Sequence, residues 1–261
     1  MRYLLVLRRF WGTALATQLE YQLNALIELL AMAGNLAGSL MVLWLFYRQG
    51  VELGGWSWHA VLVVLGAYTC LDGLTSTLLR PNLSRIVNHV QEGTLDFVLL
   101  KPVDSQFWLS LRTISPAGLP EMGLGVLLML WAARGELGSL PAGAVLAAAT
   151  LLLAASVILY ALWFVLAATS IWFVKTWNAT EVLRAALTAG RYPISAYPAG
   201  LRLFFTLVVP VAFLTTVPAE ALLGRLTPLA ALTSLLVAGV ALAVSRAFWN
   251  FALRFYTSAS S

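Results

Sequence analysis

The chain has 261 residues, of which 61% are hydrophobic and 10% charged, with 16 Lys and Arg against 11 Asp and Glu for a formal charge of +5. Soluble domains run nearer half apolar and a quarter charged, so a compact soluble fold is excluded, as are a disordered chain and a disulfide-stapled scaffold. What remains is an all-α integral membrane protein, because the apolar runs are long and helical rather than ten-residue alternating segments.

At the N-terminus Leu4, Leu7, Trp11, Ala14 and Leu15 recur at helical spacing, with Arg2, Arg8 and Arg9 elsewhere on the helix. This pattern predicts an amphipathic helix over residues 1–20 lying in the cytoplasmic interface. The apolar core Tyr3 to Leu7 is too short for a cleaved signal. A hydrocarbon core about 30 Å thick needs roughly 20 helical residues, and six stretches qualify. The first, Ala25 to Tyr47, carries Glu28 and the pair Gly34-x-x-x-Gly38, which reads as a close helix contact within the chain or with a second copy. The second, His59 to Leu79, holds Asp72 and the lone Cys70, read as a small buried residue. The third runs from Thr113 to Ala133, with Glu121 just after Pro120.

The fourth stretch, Ala142 to Val174, is too long for one upright crossing and short of two crossings plus a turn, so it reads as one tilted helix. The fifth is Leu203 to Leu223, where Pro210 and Pro218 are expected to break the helix and free carbonyls for neighbours or water. The sixth is Leu229 to Phe251. Trp44, Tyr47, Trp56, Trp58, Trp108, Trp131, Trp172 and Trp177 fall near these boundaries, as an interfacial aromatic belt would.

Positive charge orients the spans. With both termini cytoplasmic, Arg2, Arg8, Arg9, Arg80, Arg85, Lys101, Arg112, Lys175, Arg184, Arg191, Arg202, Arg246 and Arg254 fall inside, thirteen of the 16 cations. Arg48, Arg134 and Arg225 fall outside, one in each outer connection. That asymmetry is the positive-inside pattern, so the surplus of +5 marks topology and not nucleic acid.

Glu28, Asp72 and Glu121 interrupt apolar spans. Each costs about 2.5 to 3.5 kcal/mol at a helix centre and should face protein or water. Asp72 and Glu121 lie about 12 to 14 Å from the cytoplasmic edge at 1.5 Å per residue, with Glu28 shallower. A negatively charged inner vestibule for cationic or amphipathic solutes is one reading of the three. The other makes Glu28 interfacial and Glu121 a first-turn residue that the helix dipole welcomes.

Several chemistries have no residues to carry them. The sequence contains no G-x-x-x-x-G-K-[ST] phosphate loop, no H-E-x-x-H and no G-x-S-x-G. His59 and His89 fall on opposite sides of the membrane and cannot share a metal. An intrinsic enzyme is therefore not expected, nor a metal site.

The connection Arg80 to Trp108 is the most unusual segment. Leu83, Ile86, Val87 and Val90 repeat at i, i+3, i+4 and i+7 after Pro81, and Gly93 stops the run. The pattern predicts a short helix parallel to the membrane, either docking a soluble partner or lying on lipid. A second apolar cluster, Leu95 to Leu100, follows and ends at Lys101-Pro102-Val103-Asp104.

The run EGTLDFVLLKPVD resembles the loop of ABC-2-type exporter permeases, in the six-span branch related to viologen and drug efflux permeases. RYPISAYPAGLR, Arg191 to Arg202, and FFTLVVPVAFLTTVPAEALL, Phe204 to Leu223, carry the same resemblance. It implies a single transmembrane permease domain over residues 1–261 that pairs with a second permease chain, identical or related, and with two ABC ATPase subunits holding ATP and Mg. It also implies a bacterial plasma membrane location, a coupling loop over residues 80–108 and a short outer helix over 218–227. Carried over by that loop, the ATPase-coupling candidates are Arg85, Glu92, Gly93, Asp96, Lys101, Pro102 and Asp104. Two other classes compete: a self-sufficient ion-coupled carrier or channel using Asp72 and Glu121, and a non-transporting membrane scaffold.

Overall fold

The computed structural model describes residues 11–12, 22–173 and 177–257, and among these the regular elements are all helical. In chain order they are α1 (Gln22–Arg48), α2 (Trp58–Gln91), α3 (Leu95–Leu99), α4 (Ser105–Leu111), α5 (Pro116–Leu137) and α6 (Ala142–Ile171). Then come α7 (Trp177–Leu187), α8 (Ala199–Leu207), α9 (Ala212–Leu222) and α10 (Pro228–Phe255). Five of them, α1, α2, α5, α6 and α10, are long and apolar enough to cross a membrane, and α8 with α9 forms a pair bent by 77°. The interfacial helix expected over residues 1–20 lies outside the described residues except for Trp11 and Gly12, which are helical. Trp11 Nε1 donates to the carbonyl of Leu111 at 3.1 Å.

Helix α2 is the buried axis of the bundle. Ser57 caps it by accepting from Ala60 N at 3.1 Å, and Ala60 to Leu65 are buried. The helix does not stop near residue 79. It continues through a π-helical turn, Thr75–Leu79, into Arg80–Gln91. Pro81 has no N–H to give the Thr77 carbonyl, and Ser115 N fills that carbonyl instead at 2.8 Å. The separate interfacial helix expected after Pro81 is thus a straight extension of the second span. Its apolar face is not open either: Leu83 and Ile86 are buried in one core cluster with Ile158 and Phe164 of α6 and Leu109 of α4, and Val87 is buried beside them in sequence.

Helices α2 and α5 lie back to back. A Cβ on Gly73 would stand 2.5 Å from Met122 N, and one on Gly66 2.8 Å from the Gly125 carbonyl. Gly118 and Gly125 answer from α5, where an added Cβ would meet the backbone of Gly73 and of Cys70. Lipid is as apolar as leucine, so this close backbone approach supplies the contact energy that solvent exclusion cannot. Gly34 and Gly38 take no part in such a contact: nothing lies within 4 Å of a Cβ on either. Helix α1 packs on the core through Leu36, Leu40, Leu43 and Tyr47, meets Arg191 through Asn35, and leaves Leu26, Ile27, Leu30 and Met41 exposed.

The fifth span differs from its expectation. Residues 177–198, counted from hydropathy as a cytoplasmic connection, run the length of the bundle. Leu187 lies beside Val211 and Leu214 at mid-depth, Ile194 N donates to Thr216 Oγ1 at 3.1 Å, and Ser195 reaches the connection between α1 and α2. There Trp56 Nε1 donates to Ser195 Oγ at 3.0 Å, and Ser195 Oγ donates to the Gly54 carbonyl at 3.2 Å. The pair α8 and α9 then begins and ends at that same Trp56 end. Arg202 of α8 donates to the carbonyl of Ser195, while Leu222 and Leu223 pack in the cluster that holds Trp56. The bent pair therefore starts and finishes at the Trp56 end, and residues 177–198 carry the chain from the Arg184 level to that end.

Pro210 lies in the bend between α8 and α9, and Pro218 lies inside α9, where the π-helical turn Ala212–Thr216 gives way to α-helix. The π turn absorbs the donor that Pro218 lacks, so the helix axis is not broken there. Trp56, expected in the aromatic belt, is buried, whereas Trp44 and Trp131 are exposed. Arg202 joins Arg48, Arg134 and Arg225 at the Trp56 end, while Arg80, Arg85, Lys101, Arg112, Arg246 and Arg254 lie towards the opposite, Asp104 end. Of these cations six stand at the Asp104 end and four at the Trp56 end, a smaller excess than the sequence count. In a Cys70→Ser background, Arg202→Cys and Arg48→Cys should react with a membrane-impermeant maleimide from one side of sealed vesicles and Arg85→Cys from the other. Arg202→Cys reacting together with Arg85→Cys would restore the span drawn from hydropathy.

Candidate functional site

A cleft of about 900 Å³ opens between α1, α2, α5 and the 177–198 segment. Glu28, Asp72 and Glu121, read separately from the sequence, all line it. They come from three helices: Glu28 and Asn35 from α1, Tyr68, Asp72, Ser76 and Arg80 from α2, and Glu121 from α5. Glu121 also lies in the first turn of the α-helical run Leu119–Leu137, as the dipole reading expected.

The fourth wall was not foreseen. Glu181, Arg184, Thr188 and Arg191 line the cleft from α7 and the 3-10 turn Thr188–Arg191. They recur at i, i+3, i+7 and i+10, one polar face of a helix. That stripe was the available signal, and it was hidden because the cations had been counted as a cytoplasmic connection. With three arginines facing four carboxylates, the cleft is not a uniformly negative vestibule.

Arg191 ties two walls together. Its Nη2 donates to Asn35 Oδ1 at 2.8 Å and to the Tyr68 hydroxyl at 3.5 Å, and its guanidinium carbon sits 5.0 Å from the Tyr68 ring centroid. Tyr68 in turn donates to Asp72 Oδ2 at 3.5 Å. Arg191 Nε is buried with no hydrogen-bond partner among the described residues. Ion pairs among the described residues are Arg225–Glu136 and Arg246–Asp104, and neither borders the cleft. The carboxylates and guanidiniums are held around the opening without closing on one another.

A side pocket of about 30 Å³ shares Tyr68, Asp72 and Arg184 with the cleft. Trp163 and Thr215 line it, each 2% exposed, and neither the indole N–H nor the hydroxyl has a hydrogen-bond partner among the described residues.

The residues of the 92–104 loop lie far from the cleft. Glu92 caps the end of α2 and is exposed, Gly93 turns the chain at φ +67°, and Asp96 stands in the first turn of α3. Phe97 and Leu100 are 69% and 80% exposed, whereas Leu95 and Val98 are buried. Lys101 and Pro102 are exposed, with Lys101 Nζ 4.7 Å from the Trp108 ring centroid. Arg85, on the α2 extension, donates to Thr113 Oγ1 at 3.2 Å. Asp104 caps α4, accepting from Phe107 N at 2.8 Å, and pairs with Arg246 of α10 at 2.6 Å. Burial pushes its carboxyl up, but the Arg246 guanidinium and the Phe107 N–H outweigh that and hold it below the usual aspartate range. His89 and His59 stand at opposite ends of α2, and no group of three or more potential metal ligands gathers among the described residues.

The sequence pattern of the ABC-2 family transporter proteins matches residues 33–260. No curated protein and no solved structure matches the chain.

Proposed function

The chain belongs to the ABC-2 family of transporter proteins, and from that membership we propose that it is the permease subunit of an ATP-driven exporter. Two permease chains, this one and an identical or related second copy, enclose the path. Two separate ABC ATPase subunits, which hold ATP and Mg, drive it. The Asp104 end faces the cytoplasm of a bacterial cell, both termini lie there, and the cleft lined by Glu28, Asp72 and Glu121 opens towards that side as the inward half of the path. The open face of α1 around Gly34 and Gly38 is where the second permease packs.

The observation that carries the reading is the 92–104 loop. Phe97, Leu99 and Leu100 form an apolar tip at the end of the bundle, on a base fixed by buried Leu95 and Val98. A soluble ATPase finds there an anchor it can push. Because α2 continues from Trp58 to Gln91 through the π turn Thr75–Leu79, a push at its end is carried along one helix towards Asp72. Arg85, Glu92, Gly93, Asp96, Lys101, Pro102 and Asp104 shape and charge this contact. The permease contributes two arrangements of its helices, and export requires a solute with different affinity for the two.

Co-purification tests this directly. The chain should bring down a P-loop ATPase whose vanadate-sensitive hydrolysis rises with substrate in liposomes. Reversing Glu92 and Asp96 to lysine together should leave insertion intact and uncouple hydrolysis from transport. Wild-type coupling in that variant sinks the docking assignment. Ion-driven uptake by the chain alone would establish the self-sufficient carrier instead.

A further inference from the structure

We propose that the cleft recognises a zwitterion, a solute or headgroup carrying a primary ammonium and a carboxylate or phosphate together. The inference rests on reading the cleft as the translocation path. Its basis is the presence of both signs of charge around the opening, held apart. Glu28, Asp72 and Glu121 line it from α1, α2 and α5 with Arg80 at the foot of α2, Arg184 and Arg191 line it with Glu181 from the 177–198 segment, and no ion pair among the described residues joins them. Unlike charges facing a shared cavity at membrane depth are costly when unmatched, and here the protein keeps them apart instead of neutralising them. At about 900 Å³ the cleft has the size of a ligand site.

A purely cationic ligand would satisfy the carboxylates and be repelled by Arg184 and Arg191, and a purely anionic one would meet the reverse. A zwitterion satisfies both walls at once. Independent support comes from groups left without partners: Arg191 Nε at the cleft, and the Trp163 indole N–H and Thr215 hydroxyl in the side pocket that shares Asp72 and Arg184. Those last two side chains are almost fully buried, so their donors stay unmet unless a polar group or water enters.

The test uses the full chain alone, without an ATPase. Calorimetry compares the dipeptide Ala-Phe with its N-acetyl form and its C-terminal amide. In nanodiscs, native mass spectrometry compares retained phosphatidylethanolamine with phosphatidylglycerol and a cationic diacyl lipid. The zwitterion should outbind both singly charged forms by about tenfold in at least one series, as expected for one lost charged hydrogen bond. A preference among peptides assigns a soluble ligand; one among lipids only assigns a headgroup. Glu121→Gln should erase the advantage over the N-acetyl form, and Arg184→Gln the advantage over the amide. Asp72→Asn serves where Glu121→Gln does not fold. A cation that binds as tightly as the zwitterion in both series, or no discrimination in either, overturns the proposal. Loss of ATPase co-purification would fell the exporter reading and leave this binding result standing.

Discussion

Replacing Gly125 by leucine should prevent the chain from reaching its folded, monodisperse state, whereas Gly123→Leu, two residues away on the same helix, should be tolerated. A Cβ at Gly125 has no room: it would stand against the backbone of Cys70, and backbone does not swing aside as the end of a side chain can. At Gly123 nothing lies within 4 Å of the added carbon. Overpacking against side chains costs about 1 to 3 kcal/mol, and here α2 and α5 must separate along Gly66, Gly73 and Gly118 as well. We expect a loss above about 3 kcal/mol, a large part of the margin of a typical fold. Scanning size-exclusion profiles in detergent after heating separates the two variants. Equal profiles for Gly125→Leu and Gly123→Leu would mean that the close approach of α2 and α5 is not what holds the bundle. Gly34→Leu serves a second purpose. It should not harm the isolated chain, and any defect it causes must arise with another copy.

The glycine pairs show where sequence reading stops. Gly34-x-x-x-Gly38 is the local pattern that catches the eye, yet its face is open. The working set is divided between two helices, Gly66 and Gly73 on one, Gly118 and Gly125 on the other, and a single chain does not announce which helices pair. The same limit governs Leu83 and Ile86. Their period told correctly that one face is apolar, but not that α6 of the same chain covers it. The three acids were legible because a carboxylate inside an apolar run must have a polar surround, and all three do share one cleft. The 177–198 segment was illegible for the same physical reason. Glu181, Arg184 and Arg191 face the cleft, so hydropathy registered a loop where the charges line a cavity. Hydropathy instead chose Leu203 to Leu223, whose apolar residues enter from the Trp56 end and turn back at Pro210.

Asp104 should prove the most sensitive residue of the coupling loop, for reasons of geometry more than of stability. Its carboxylate holds α4 at both ends of a joint, accepting from Phe107 N within the loop and from Arg246 on the last span. The joint is reinforced by Trp249 Nε1 donating to Ser105 Oγ at 3.0 Å and by Gln106 Nε2 donating to the Tyr160 hydroxyl of α6 at 3.0 Å. These contacts tie α4 to α6 and α10, and on the proposed docking at Phe97 and Leu100 we expect load to pass through α4. Asp104→Ala removes the cap, worth about 1 kcal/mol, and the ion pair, whose partners are partly solvated and add less than about 1 kcal/mol. Hydrogen exchange over Ser105 to Leu111 should rise about tenfold, and transport per ATP should fall severalfold while the ATPase stays bound. Asp104→Asn keeps a cap and loses the charge, so it should retain low exchange with partial coupling. The sign of the pH effect follows from the lowered carboxyl. The stabilisation is fully present above the unfolded aspartate value near about 3.9 and is lost only as pH falls through the lower folded value. Between about pH 5 and 8 the pair should contribute no pH dependence to coupling. Unchanged exchange in Asp104→Ala would remove α4 as the transmitting element, and equal coupling losses in Asp104→Ala and Asp104→Asn would place the effect in charge alone.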